Sequence, residues 1–186
     1  MKTPVPDYLA SVLSRCDAND GGALADHIPE LADADPNKLA LALSTIDGQI
    51  YSAGDDTYEF SIQSMSKPFA YALALQHHGI EKVLGKVGVE PSGEAFNQIS
   101  LDSGTKTPKN PMMNSGAITT HSLIPADTGE LRAEKLRAFL SEMAGRELSF
   151  DEDVYQSELK TAYHNLSIGY MLRTVGVLES DPVDIV

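Results

Sequence analysis

The sequence predicts an α/β (α+β) fold in which a short antiparallel sheet accompanies several helices. Two short apolar runs, residues 39–43 and 50–53, flank the turn residues Asp47-Gly48, a pattern typical of a β-hairpin. Apolar residues recur at helical spacing in residues 131–143, and Gly145 follows where such a helix would end. A hairpin followed by amphipathic helices gives the mixed class.

The remaining elements follow in chain order. A third short strand is predicted near residues 58–62, where it would deliver Ser64 to the start of a helix that ends at Gly79. Residues 88–111 hold many Gly, Pro, Asn and Ser residues, so we expect a long irregular segment of the kind that often carries function. Further helices are predicted at residues 6–16, 114–124 and 158–172, and residues 25–32 are predicted to be a short helical or irregular stretch.

Length and composition limit the classes of protein to which this chain can belong. The chain has 186 residues, of which 42% are hydrophobic, enough for one domain or a large part of one. The formal net charge of -13 disfavours nucleic acid and anionic membranes as partners. With one cysteine, Cys16, no disulfide can form within the chain, which indicates a reducing compartment. The longest apolar run is too short to span a bilayer, so we expect a cytoplasmic protein.

The feature that most directly indicates catalysis is a Ser-x-x-Lys pair at the start of the helix that follows residue 62. Residues i and i+3 lie on one face of a helix, so Ser64 and Lys67 can touch. A lysine shielded from water can lose its proton and then take one from the serine. The serine would thereby become a nucleophile for acyl transfer.

The Ser-x-x-Lys pattern occurs three times, so the pattern alone is weak. Ser103 and Lys106 lie among Gly and Pro residues, where a loop would hold two side chains poorly. Ser157 and Lys160 would open a helix, with Ser157 as an ordinary N-cap. Ser64 precedes a buried apolar helix whose N-terminus can polarise an oxyanion. From the residues alone, a plain N-cap role for Ser64 remains the alternative.

The five histidines show no metal-ligand spacing, so no metal site is expected.

Beyond these patterns, the chain resembles the serine-dependent glutaminases, and the resemblance covers nearly all of it from residue 25 onward. Several of the matching blocks are long and in family order, which makes the set far more specific than the Ser-x-x-Lys pair. The blocks are residues 25–31, Asp47-Gly48, Ser52-Ala53-Gly54-Asp55, Gln63-Ser64-Met65-Ser66-Lys67-Pro68, residues 87–93, Phe96-Asn97, residues 110–118, Tyr155-Gln156-Ser157-Glu158 and Asn165.

The resemblance implies a fold, a reaction and a set of site residues. The fold would be that of the β-lactamases and penicillin-binding proteins, an antiparallel sheet flanked by a helical cluster. Ser64 would be the nucleophile and Lys67 its base, and L-glutamine would be hydrolysed to L-glutamate and ammonia without metal or cofactor. Ser64, Asn114, Glu158 and Asn165 would bind the substrate. The complete protein would be a homo-oligomer, a tetramer by resemblance.

The chemistry of these residue types agrees with the roles. An α-ammonium group favours a carboxylate such as Glu158, and an α-carboxylate favours amide donors such as Asn114 and Asn165. Glu158 and Asn165 are seven positions apart, so we expect them to share one face of a helix. Capping or buried polar packing for the asparagines, and a solvated helix face for Glu158, are the ordinary alternatives.

The chain also departs from the family pattern. Family members usually carry tyrosine where this chain has His27, and Gly-Asp-Arg where it has Ala162-Tyr163-His164. The family continues through further sheet strands, so we expect residues 1–186 to be the N-terminal portion of a single catalytic domain, inactive by itself. A β-lactamase or peptidase of the same fold is one alternative, which the block at residues 110–118 argues against. A non-catalytic remnant is the other.

Overall fold

The computed structural model describes residues 3–186, which form two compact units, one ending at Ser61 and the other running from Ile62 to Val186. The first unit contains α1 (Val5–Cys16), α2 (Pro29–Ala32), β1 (Ala40–Ser44) and β2 (Ile50–Gly54). The second contains a 3₁₀ turn (Gln63–Ser66), α3 (Lys67–His78), α4 (Ile80–Leu84), α5 (Asn114–Ser122), α6 (Gly129–Ala144), α7 (Glu152–Thr161), α8 (Tyr163–Thr174) and a final 3₁₀ turn (Pro182–Asp184). The predicted mixed fold class is confirmed.

The first unit is built on the predicted hairpin. β1 and β2 pair antiparallel, with Ala40 opposite Gly54 and Ser44 opposite Ile50, and α1 packs against both strands. The connecting turn closes with a 2.9 Å hydrogen bond from Thr45 N to Gln49 O. Gly48 has a φ of +82°, a left-handed conformation that glycine adopts without steric cost. The Asp-Gly signal therefore located the turn correctly.

An ion pair closes the open end of the hairpin. Lys38 Nζ lies 3.0 Å from Asp55 Oδ1, and the backbone N–H of Leu39 donates to Asp55 Oδ2 across 3.1 Å. The hydrogen bond from Lys38, followed by the one from Leu39, holds the pKa of the Asp55 carboxyl below its usual range. One carboxylate thus joins the residues that precede β1 to those that follow β2.

The second unit is a helical cluster whose most buried helix is α5. Ile118 on α5 packs with Ile168 and Leu172 on α8, and α3 and α6 pack around Ile124. A Cβ atom on Gly116 would collide with the Asn110 carbonyl and approach Pro111 Cα to 2.9 Å. The absence of a side chain at Gly116 therefore lets residues 110–113 lie directly against α5. This close approach matters for the site described below.

Two predictions about secondary structure are wrong. Residues 58–62 form no strand, because the described chain pairs only β1 with β2 and offers this stretch no strand partner. Residues 158–172 are not one helix, because the chain breaks at Ala162 between α7 and α8. Ser157 consequently lies inside α7 and does not cap it; the cap is Asp151, whose carboxylate accepts a hydrogen bond from Val154 N.

The irregular segment at residues 88–111 is confirmed. It contains an isolated bridge between Leu101 and Pro108, and Gly88 N donates to Pro108 O across 2.9 Å, so the segment folds back on itself.

Among residues 3–186, no helix combines the length and apolar character needed to cross a membrane.

Candidate active site

Ser64 lies in the 3₁₀ turn immediately before α3, which places it at the helix start as predicted. Lys67 is the first residue of α3, and its backbone N–H donates to the carbonyl oxygen of Ser64. Gln63, just before the serine, has a φ of +46°, a left-handed conformation that is uncommon for a residue with a side chain. Ser64, the second residue of this turn, is exposed.

The Lys67 ammonium is held by acceptors from two other segments. Its Nζ atom donates to Asn114 Oδ1 across 2.7 Å and to the carbonyl oxygen of Met112 across 3.2 Å. It also lies 5.4 Å from the centre of the Phe96 ring, over the ring face. Burial lowers the pKa of Lys67, because a half-buried amine loses part of the hydration that favours its charged form.

The side chain of Asn114 links the lysine to a third helix. Because lysine only donates, Asn114 must present Oδ1 to it, and Nδ2 then donates to Asn165 Oδ1 across 3.0 Å. Lys67 is the first residue of α3, Asn114 the first of α5 and Asn165 the third of α8. Side chains from the first turns of three helices are therefore joined along one hydrogen-bonded chain, and the start of each helix carries partial positive charge that favours an anion.

The structure brings some of the predicted residues together and separates others. Among the hydrogen bonds of residues 3–186, none joins Ser64 Oγ to Lys67 Nζ, because the lysine is directed toward Met112 and Asn114. Glu158 is half-buried on α7, whereas Asn165 lies on α8, so the predicted shared helix face is wrong. The break at Ala162 is the physical reason.

Three features of the site escaped the sequence reasoning. The Met112 carbonyl has no sequence signal, because every residue carries one. Phe96 belongs to a block of the family resemblance, but the resemblance implies no role for it. His164 stands where the family pattern has arginine, and its Nε2 donates to the carbonyl oxygen of Asn97 across 2.8 Å.

In the part of the chain that the structure describes, no three His, Cys, Asp or Glu side chains are grouped so as to hold a metal ion.

Comparisons with known proteins identify the family to which this chain is similar. The family model described as glutaminase matches residues 22–186. A glutaminase of Corynebacterium efficiens is 51% identical over 185 residues, which are 98% of this chain and 44% of that protein. A glutaminase of Corynebacterium glutamicum is 54% identical, again over 98% of this chain and 45% of the relative.

Solved structures give the same result. The crystal structure of Mglu in its native form superposes with a TM-score of 0.92 and 43% identity, covering 100% of this chain and 45% of that one. The probable glutaminase ybaS superposes with a TM-score of 0.88 and 35% identity, over 96% of this chain and 60% of that one. The chain thus spans less than half the length of the two curated relatives described above.

Proposed function

Because the chain belongs to the glutaminase family, we propose that it carries the nucleophile, the base and amino-acid binding groups of an enzyme that hydrolyses L-glutamine. The products would be L-glutamate and ammonia. The observation that carries this proposal is the hydrogen-bonded chain from Lys67 through Asn114 to Asn165, next to the turn that holds Ser64.

The contacts of Lys67 suit a general base. A neutral lysine has two N–H bonds and one lone pair, and the Met112 carbonyl and Asn114 Oδ1 can accept both N–H bonds. The lone pair is then left for the proton of Ser64, one helical turn away. Burial favours the neutral form that this step requires.

In the first step, Ser64 Oγ attacks the side-chain amide carbon of glutamine while its proton passes to Lys67. The resulting oxyanion would receive a hydrogen bond from the Ser64 N–H, with support from the positive end of α3. The intermediate collapses as the C–N bond breaks, and Lys67 returns the proton to the departing ammonia. Water then hydrolyses the ester, again with Lys67 as base, and L-glutamate leaves.

Recognition of the amino-acid end would use charge. Asn165 uses Oδ1 to accept from Asn114, so its Nδ2 remains able to donate to the α-carboxylate of the substrate. The converging starts of α5 and α8 favour the same anion. Glu158 would pair with the α-ammonium group, and this reaction needs no metal or cofactor.

The proposal also includes the partners, the cellular location and the oligomeric state of the protein. The formal net charge of -13 disfavours nucleic-acid and anionic-membrane partners. The single cysteine, Cys16, favours a reducing compartment, so we place the enzyme in the cytoplasm. By family resemblance, the complete protein would assemble as a homo-tetramer.

A chimera tests this function. The chain would replace its matching segment in the Corynebacterium glutamicum relative, and ammonia release would be measured with L-glutamine and, separately, hydrolysis of a β-lactam. We expect turnover of glutamine and none of the β-lactam. A folded chimera that leaves glutamine intact, while the parent enzyme hydrolyses it, would contradict the proposal. β-Lactam hydrolysis alone would favour the β-lactamase alternative.

A further inference from the structure

An exposed aromatic ring lies over the lysine of the site. Phe96 is 62% exposed and sits on the irregular segment at residues 88–111, so its ring contributes little to the hydrophobic core. Its face lies 5.4 Å from Lys67 Nζ, within the roughly 6 Å over which a ring attracts a cation. The ring is therefore placed to interact electrostatically with the ammonium group of Lys67.

The backbone around the ring is anchored on both sides. The carbonyl oxygen of Phe96 accepts a 2.9 Å hydrogen bond from Asn114 N, and the next carbonyl, that of Asn97, accepts one from His164 Nε2 across 2.8 Å. These donors stand at the starts of α5 and α8, the helices that also carry Asn114 and Asn165. Two consecutive anchored carbonyls fix the direction from which the ring approaches Lys67.

We propose that Phe96 is a positioning residue, which stabilises the ammonium form of Lys67 through the face of its ring, and that His164 holds the segment that presents this ring. The ring attracts the charged lysine and not the neutral one, so it opposes the effect of burial. Its consequence for turnover rests on the proposed function, because the ammonium is the form that Lys67 takes when it accepts the proton of Ser64.

The direct test measures the pKa of Lys67 in the resting chain, without substrate. Lysine residues would be labelled with ¹³C at Cε and titrated by NMR, and the Lys67 signal would be identified by its loss in Lys67→Met. Phe96→Leu removes the ring but keeps apolar bulk, Phe96→Tyr keeps the ring face, and Phe150→Leu alters a comparably exposed phenylalanine elsewhere, 55% accessible.

We expect Phe96→Leu to lower the Lys67 pKa by about 0.4 to 0.7 unit, the shift that corresponds to a cation–π attraction at an exposed ring. Phe96→Tyr should restore the parent value, and Phe150→Leu should leave it unchanged. His164→Ala, which frees the segment without altering the ring, should shift the pKa in the same direction as Phe96→Leu. If the ring only shielded Lys67 from water, Phe96→Leu would raise the Lys67 pKa, so a fall distinguishes electrostatic attraction from shielding.

An unchanged Lys67 pKa in Phe96→Leu would overturn the proposal, as would an equal fall in Phe96→Tyr. If Phe96→Leu fails to fold, His164→Ala decides, and an unchanged pKa there counts against the proposal. The titration needs no turnover, so an inactive chimera with a shifted pKa would refute the proposed function alone. An active chimera with an unchanged pKa would refute only the role of Phe96.

Discussion

The side-chain amide of Asn114 donates from Nδ2 to Oδ1 of Asn165 across 3.0 Å, which joins the start of α5 to the start of α8. The same amide accepts from Lys67 through Oδ1, so one planar group fixes both the lysine and the second asparagine. Because these groups are partly buried, each donor or acceptor that loses its partner carries a cost in stability.

Asn165→Ala is expected to lower the free energy of unfolding by about 1–3 kcal/mol, because Asn114 Nδ2 would lose its acceptor in a partly buried position. Urea denaturation followed by circular dichroism measures the change. Ser167→Ala on the same helix is the matched control, since it removes an exposed hydrogen bond to His164 O and should stay within about 0.5 kcal/mol. Equal effects of the two variants would contradict the structural role of the asparagine pair.

Asn114→Asp is expected to shift the pH dependence of turnover in the chimera. A carboxylate at the position of Oδ1, 2.7 Å from Lys67 Nζ, would raise the lysine pKa by about 1–3 units because it favours the charged form. The base must be neutral, so kcat/KM rises as pH rises through the Lys67 pKa, and this limb should move to higher pH. The measurement is a pH profile of ammonia release with Asn19→Asp as control; an unmoved limb would argue against Lys67 as the base.

Asp55→Asn is expected to destabilise the first unit in a pH-dependent way. The folded pKa of Asp55 is depressed, so its contribution to stability is present above the unfolded value of about 3.9 and is lost as pH falls through the folded value. The variant should therefore be less stable than the parent near pH 7, and the difference should vanish in acid. Denaturation at several pH values measures this, with Asp20→Asn as control. A difference that persists unchanged at low pH would contradict the ion-pair account.

Gly116→Ala tests the close approach of residues 110–113 to α5. The new Cβ would meet the Asn110 carbonyl, and overpacking of this kind costs about 1–3 kcal/mol or more. A Cβ on Gly21 would meet nothing within 4 Å, so Gly21→Ala should leave the melting temperature nearly unchanged. Equal melting temperatures for Gly116→Ala and the parent would show that the segment can move away without cost.

The sequence predicted those parts of the fold that local chemistry determines. Asp47-Gly48 located the hairpin turn, and α6 ends at Gly145, whose φ of +66° suits glycine. The break at Ala162 carries no Gly or Pro, so the helical pattern continues through it and the sequence predicts one helix where the structure has two. Residues 58–62 have strand-like composition, but a strand also needs a pairing partner, which composition does not reveal.

The candidate site is likewise predictable from the sequence only in part. The family resemblance named Lys67 and Asn114, whereas their direct contact joins residues 47 positions apart and depends on how α3 packs against α5. The Met112 carbonyl and the Phe96 ring contact Lys67 because of the course that the irregular backbone follows. Local patterns do not specify such a path.

The central claim is that Ser64 is the nucleophile of glutamine hydrolysis. The most direct test compares ammonia release by three variants of the chimera, Ser64→Ala, Ser103→Ala and Ser157→Ala, each at one of the three Ser-x-x-Lys matches. We expect Ser64→Ala to lose several orders of magnitude in kcat/KM while the other two stay near the parent value. Near-normal turnover by a folded Ser64→Ala chimera would contradict the account.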